Sequence, residues 1–563
     1  MTAAAPRLTV LQAKFSAYLS WSQPFLHALL SGLDPYVRNV ILCNRTENLD
    51  RFPVRRVERL PNRYLAKPRL AVLSARYLRR TWNPDLIHAH FGWSGIRLLL
   101  LKQMLRVPLV VTFGGRDVGL QMQLPDFDRL YRALLGACDG IVCVSADLRD
   151  KLAEAGVDPA RIRVVHRGTD LHDFAFVDRS GRPEGAPVRA LMVGRIVEKK
   201  GHRYAVDAVA GLAREGREVR LVVVGEGEAY HDLRRLRRRL GLGDRVEFAG
   251  STDHAGVRRH MAEADLLVHC SHTPESGDVE GIPNVVVEAQ ATGLPVVATR
   301  HGGIAEAVRH GETGLLVPER DAEALRAAIG HLAADRAERL AMGVRARRFV
   351  TEELDLERQV EAHRALYAEV VEGARCAAFR ERNWIPDDYA ELVGRTVLAQ
   401  DVRHPSEFSI AELLERLVWM RRYERRFAEE GTAASDPDAL FLPEAARLRA
   451  ASGEAGAGYD AGADLRHESR LERVYNWKSR VPQSVKFPAK MALGRLLVWA
   501  IEQRHRRLRG EALEALEQED ERVVEFFRSG GSLEAWEAAE QAEAAAPASA
   551  QDPPTAAARG RPE

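Results

Sequence analysis

Short apolar, β-branched runs alternate with stretches of helical periodicity from residue 7 to about residue 320. Unbroken apolar runs bounded by turn residues mark strands buried on both faces, and their alternation with helices predicts βαβ units around parallel sheets. Two such series follow one another. The first reads LTVLQA, VRNVILC, LIHAHF, LVVTF, GIVCVS and IRVVHRG, with helical stretches such as IRLLLLKQML between them, and predicts a Rossmann-like domain over residues 1–180. A polar hinge, DRSGRPEGAP at 178–187, leads into ALMVGRI, RLVVVGE, RVEFAG, DLLVHCS, PVVATR and TGLLVP, which predict a second Rossmann-like domain over 187–345. A closing helical segment is expected over 346–372. The fold class is therefore α/β: two doubly wound domains facing a cleft, followed by a C-terminal helical appendage.

Beyond residue 373 the strand pattern stops and helix formers dominate to residue 540, interrupted by the Gly/Ala-rich SGEAGAGYDAGAD. This predicts an appendage over 373–540 to which the sequence gives no role. Residues 541–563 are Ala/Pro-rich with little to bury, so a disordered tail is expected there. The 82 Lys+Arg against 80 Asp+Glu leave a net charge of +2, without the basic excess of a nucleic-acid binder. The five cysteines form no CxxC pair, which fits a reducing compartment. No basic-then-apolar leader opens the chain, and no run approaches the roughly 18 apolar residues of a membrane span. A cytoplasmic protein, free or peripheral to a membrane, is the expectation.

Open α/β sheets bind ligands outside the carboxyl ends of their strands, so two in tandem put the chemistry between them. The segment GDVEGIPNVVVEAQATGLPVVATRHGG concentrates the candidates. Pro283 suits a first helical turn, which leaves Glu280 in the loop before a helix and Glu288 on the second turn. Gly281 and Ile282 offer no side-chain cap, so the amides at this helix start are free for an anion, and the helix dipole favours a phosphate. On spacing alone two glutamates read as solvated charges. The upstream run VGRIVEKKGHRYAVDAV changes that, because it puts Arg195 and Lys200 on a strand-to-helix turn where two cations can converge on a diphosphate.

These runs resemble the retaining glycosyltransferases of family 4, which have the GT-B fold. GRIVEKKG, VVVGEGE, RVEFAG, EGIPNVVVE, ATGLPVVATRHGGIAE and GETGLLVP stand in family order and spacing over residues 190–320. LIHAHFG, PLVVTFGGRDV, VSADLR and VVHRGTDLHDF extend a looser likeness to roughly residues 1–372. The resemblance implies transfer of a sugar from a nucleotide diphosphate sugar to a saccharide or lipid-linked acceptor, with retention and without a metal ion or other cofactor, in cell-surface polysaccharide or glycolipid synthesis. It implies that Arg195 and Lys200 hold the diphosphate and neutralise the leaving group, and that Glu280 contacts donor-sugar hydroxyls. Gly194 and the backbone of Gly281, Ile282, Pro283 and Asn284 would line the donor, and Glu288 would meet the ribose. One position departs from the family: where a histidine or another side chain usually follows the VTF strand and faces the acceptor, this chain has Gly114. His90 and Asp117 are the acceptor-side candidates to replace it, although His90 also reads as a histidine packed under the cleft. The alternative function is a non-catalytic nucleotide-sugar-binding scaffold that works through its appendage.

Two DxD-like triplets, Asp126 to Asp128 and Asp436 to Asp438, invite a metal-dependent reading. Capping and the helix dipole account for the first and a polar loop for the second. Residues 51–80 carry ten Lys/Arg against the single acid Glu58, interleaved with Leu, Val and Tyr, and are a candidate surface for an anionic membrane. The amphipathic run 485–509 is a second candidate, equally readable as a docked helix, and RRLRRRL at 234–240 reads as a solvated face.

Overall fold

In the computed structural model, which describes residues 7–18, 24–49, 51–60, 68–119, 125–376, 389 and 522–545, the two series of apolar runs form two parallel sheets. The first contains β1 (Thr9–Tyr18), β2 (Arg38–Thr46), β3 (Val57–Arg59), β4 (Leu86–His90), β5 (Leu109–Phe113), β6 (Gly140–Cys143) and β7 (Ile162–Val164). Their order is β3-β2-β1-β4-β5-β6-β7. The second contains β8 (Val188–Val193), β9 (Val219–Val224), β10 (Val246–Gly250), β11 (Leu266–His269), β12 (Val296–Thr299) and β13 (Gly314–Val317), in the order β10-β9-β8-β11-β12-β13. Each sheet is doubly wound, with its order reversing between β1 and β4 or between β8 and β11. Helices on both faces explain the unbroken apolar runs: every residue of β4, β6, β11 and β12 is buried.

The hinge between the domains is less loose than its composition implies. Arg179 is buried and donates to the carbonyls of Ala264, Val177, Thr292 and Met261, pinning the connector to the second domain. At the other end, the helices Arg336–Glu353 and Leu356–Cys376 replace the single boundary expected at residue 346; the first runs on through Gly343, where a Cβ would lie 2.2 Å from the Gly293 carbonyl. The chain crosses back at Leu354 to Leu356, where Thr169 exchanges backbone hydrogen bonds with Leu354 and Leu356 at 2.9 and 3.1 Å. Val360, Leu366, Tyr367 and Val370 then pack into the core of the first domain. The closing segment thus completes the domain in which the chain began.

The described residues belong to one compact unit, 1–394 with 520–563. Most of the expected appendage, the 436–438 triplet, the 485–509 run and the tail beyond residue 545 lie outside the described residues. Within them, the helix Leu533–Ala545 runs past the boundary expected at 541, as its Ala and Glu content favours. It docks on the basic helix Pro68–Trp82: Arg76 pairs with Glu537 at 2.8 Å and with Glu540. Leu533 and Trp536 of this helix are buried, as is Phe527 just before it. Part of the basic surface at 51–80 is therefore covered by the chain's own acidic helix, while Leu73, Tyr77 and Arg80 stay exposed. Among the described residues no helix is long and apolar enough to cross a membrane.

Candidate functional site

The loops after β8 and β11 flank the point where the second sheet reverses its order. Gly201, with φ +65°, ends the first of these loops; a Cβ there would lie 2.0 Å from the Cys270 carbonyl, so only glycine lets the two loops meet. The contact brings Lys200 Nζ to 2.8 Å from Glu280 Oε1. Lys199, which the sequence did not single out, bridges Asp278 at 3.0 Å and Glu280 at 3.5 Å. Burial by itself pushes the Glu280 carboxyl up, but Lys200, Lys199 and His269 outweigh it and hold the group well below the usual carboxylate range. Glu280 is thus a fixed anion. Arg195 is exposed beside Gly194 and makes no ion pair among the described residues. Its guanidinium is available to an incoming anion.

The backbone of the 280 loop is aimed by a relay. Glu280 N donates to His301 Nε2 at 3.1 Å, so the ring proton sits on Nδ1 and is donated to Glu319 Oε1 at 2.6 Å. The helix Asn284–Ala291 follows, with Pro283 at its N-cap and no side-chain cap. The amides of Gly281, Ile282, Asn284 and Val285 have no acceptor among the described residues. Glu288 is buried on the second turn, 3.6 Å from His254 Nε2, and this carboxylate raises the pKa of His254. Lys200, Glu280 and the helix start therefore follow one another in the loops after β8 and β11, with Arg195 exposed on the first of these loops and Glu288 buried on the second turn of the helix.

The first domain presents a different surface. Asp117 does not project into open space: its Oδ2 accepts from Gly114 N at 2.9 Å and Gly92 N at 3.2 Å, tying together the loops after β4 and β5. Burial pushes its pKa up to about 7 in spite of those amides. His90 is buried in a network with Gln12, its Nε2 2.9 Å from Gln12 Oε1 and its ring 4.2 Å from that of His88, and burial holds its pKa down at about 3. Of the two readings of His90, this is the packed one. Neither residue fills the place left by Gly114. A Cβ at Gly114 would lie 3.3 Å from the Phe91 ring and 3.4 Å from Arg167 Nη2, so these two side chains border it. Phe91 holds a left-handed φ of 78°, a strain of about 1–3 kcal/mol in a non-glycine residue.

The domains meet at this level. A Cβ on Gly115 would lie 2.0 Å from the Val279 carbonyl, so the loop after β5 touches the 280 loop directly. Glu306 crosses from the second domain to accept Ala146 N at 2.7 Å and Asp147 N at 3.0 Å, the open amides at the start of the helix Ala146–Glu154. His166 Nε2 lies 2.9 Å from the same carboxylate. Burial pushes Glu306 up, yet His166 and the two amides prevail and lower its pKa. Glu306 and Arg167 both lie inside motifs quoted for the resemblance, GGIAE and VVHRGTD, but only the fold reveals what they touch. The triplet from Asp126 falls in the first turn of the helix Pro125–Ala137.

Residues 26–173 match the family Glycosyltransferase Family 4, and residues 175–349 match Glycosyl transferases group 1. A Salmonella typhimurium protein named for colanic acid biosynthesis, the glycosyltransferase WcaL, is 34% identical over 269 residues, 47% of this chain and 66% of that protein. The amylovoran biosynthesis glycosyltransferase AmsK of Erwinia amylovora is 30% identical over 296 residues, 52% of this chain and 71% of the relative. The chain thus spans about two thirds of the length of these curated relatives. Among solved structures, HepE of Anabaena in complex with UDP superposes with a TM-score of 0.54 at 20% identity, over 65% of this chain and all of that one. At that identity the likeness establishes the shared two-domain fold.

Proposed function

Since the chain belongs to glycosyltransferase family 4, we propose that it transfers a sugar from a nucleotide diphosphate sugar to a saccharide or lipid-linked acceptor, with retention and without a metal ion, in building a cell-surface polysaccharide or glycolipid. One observation carries this reading: the Lys200–Glu280 pair at 2.8 Å joins the loop after β8, on which Arg195 is exposed, to the loop that leads into the uncapped helix at Asn284, at the switch point of the second sheet. Cations and free amides suit a diphosphate, and a fixed carboxylate suits sugar hydroxyls. In the reaction the bond from the anomeric carbon to the phosphate oxygen breaks, and a bond from the acceptor hydroxyl forms on the same face. The acceptor proton passes to the departing phosphate. Arg195 and Lys200 meet the negative charge that grows there, which lets the group leave without a general acid. Lys200 exchanges its pairing with Glu280 for the phosphate, while Lys199 continues to neutralise Glu280.

The test is turnover of a panel of UDP- and GDP-sugars by purified protein in excess EDTA, with the anomeric configuration of the product read by NMR. Release of nucleotide and an axial or equatorial linkage matching that of the donor is the expected result. Dependence on added magnesium or manganese would overturn the metal-free mechanism. Nucleotide binding with no turnover of any donor would favour the scaffold.

A further inference from the structure

Arg167 leaves the first domain just after β7 and reaches the second, where Nη1 donates to the Ile282 carbonyl at a long 3.5 Å. Phe25 stacks against it, 4.2 Å from ring centroid to guanidinium carbon, and Nη2 borders the space over Gly114. A guanidinium carries five N–H donors. One long bond uses them among the described residues, and the residue as a whole is half-buried. Its two anionic neighbours are engaged elsewhere: Glu280 with Lys200 and Lys199, and Asp117 with two amides. Arg167 is thus a cation stacked on Phe25 without a contacting counter-charge among the described residues, reaching from the first domain to the edge of the 280 loop.

Donor binding does not require it. The diphosphate has Arg195 and Lys200, and the sugar has Glu280, all from the second domain. We propose that Arg167 is a specificity residue that binds an oxyanion on the acceptor, the carboxylate of a uronic acid or a phosphate carried by the saccharide. The planar fork matches either group through two parallel hydrogen bonds, and the Phe25 stack sets its plane before the ligand arrives. The lack of a side chain at Gly114 keeps the approach to Nη2 clear. This inference rests on the transferase reading above, since it presumes that an acceptor occupies the first-domain side.

The experiment compares three glycosides that differ only at C6: p-nitrophenyl glucoside, its glucuronide and its 6-phosphate. Each is titrated by calorimetry into protein already saturated with UDP or GDP. The wild type should bind one of the anionic glycosides at least tenfold more tightly than the neutral one, and whichever it prefers identifies the oxyanion. Arg167→Gln should bring that ratio to within twofold of one, and Arg167→Lys should keep part of it at an unchanged melting temperature. A wild type that fails to discriminate, or that binds none of the three, overturns the proposal, as does an Arg167→Gln variant that still discriminates. Failure of the underlying reading looks different: neither nucleotide binds in the first titration, before any glycoside is added.

Discussion

The two halves of the cleft are built from the same doubly wound pattern but carry function differently. In the second domain the working groups are charged side chains in short contiguous runs, Arg195 to Lys200 and Asp278 to Glu288, and most pair within the site. In the first domain the groups at the same level are turned to framework: His90 into a buried network and Asp117 onto two amides. What that side offers the cleft comes from Arg167, and from the absence of a side chain at Gly114. A cleft with one chemically dense wall and one sparse wall divides its labour, with donor chemistry fixed on the dense side and acceptor choice left to a few groups on the other.

The sharpest way to break this comparison is on the dense wall. Arg195→Ala and Lys200→Ala should each lower turnover by about two orders of magnitude or more, the scale of removing a charge-stabilising donor. Their stabilities should part company. Arg195 is exposed and makes no ion pair among the described residues, so its loss should leave the melting temperature unchanged, whereas Lys200→Ala strips Glu280 of its 2.8 Å partner and should lower it. Steady-state rates and melting curves on both variants check this, and near-normal rates in either would remove the diphosphate assignment.

The seam between the walls comes next. Glu306→Ala removes an ionised acceptor from two amides, worth about 1.5–3 kcal/mol for hydrogen bonds to a charged group. The folded pKa of Glu306 lies below its ordinary 4.5, so its contribution is complete above pH 4.5 and is lost as pH falls through the folded value. Denaturant unfolding should therefore show a gap between wild type and variant at neutral pH that closes in acid. Asp117 should behave in the opposite sense. Burial raises its pKa from 3.8 to about 7, so ionising it opposes folding, and the wild type loses stability as pH rises from acid through about 7. Asp117→Asn, which cannot ionise, should gain on the wild type over that range. Parallel pH profiles for the two substitutions would mean that one of the two environments is wrongly described.

These contrasts also explain what was legible in the chain. The parallel sheets could be read because burial on both faces leaves unbroken apolar runs, and the donor loops because their residues are neighbours in sequence. Contacts such as Glu306 with Ala146, or Arg167 with Ile282, join residues more than a hundred positions apart and leave no local trace. His301 stands only 21 positions from Glu280, yet its ring meets Glu280 N only because the strand before it, β12, lies beside β11. His90 is the instructive case, since the ring at a strand end that suggested cleft chemistry proved to be bonded to Gln12 on β1. Alternation along a strand says which residues share a face, not whether that face is already filled.

The smallest effect separates the two glutamates of the dense wall. Glu288 is buried on the helix while Glu280 lies in the loop before it, held by Lys200. If Glu288 meets the ribose, Glu288→Ala should weaken binding of the free nucleoside diphosphate by about 1–3 kcal/mol, the cost of a lost charged hydrogen bond. Glu280→Ala should not weaken it. Without a donor sugar present, Glu280 competes with the diphosphate for Lys200, so removing the carboxylate releases that cation and should leave nucleotide affinity equal to or slightly above the wild type. Affinity for the complete nucleotide sugar should still fall, because the hydroxyl contacts are gone. Calorimetric titration of both variants with UDP, GDP and their sugar conjugates decides the matter. Equal losses for the free nucleotide would mean that the polarity of the site is reversed, and no loss in either would leave both glutamates as structural charges, paired with Lys200 and His254.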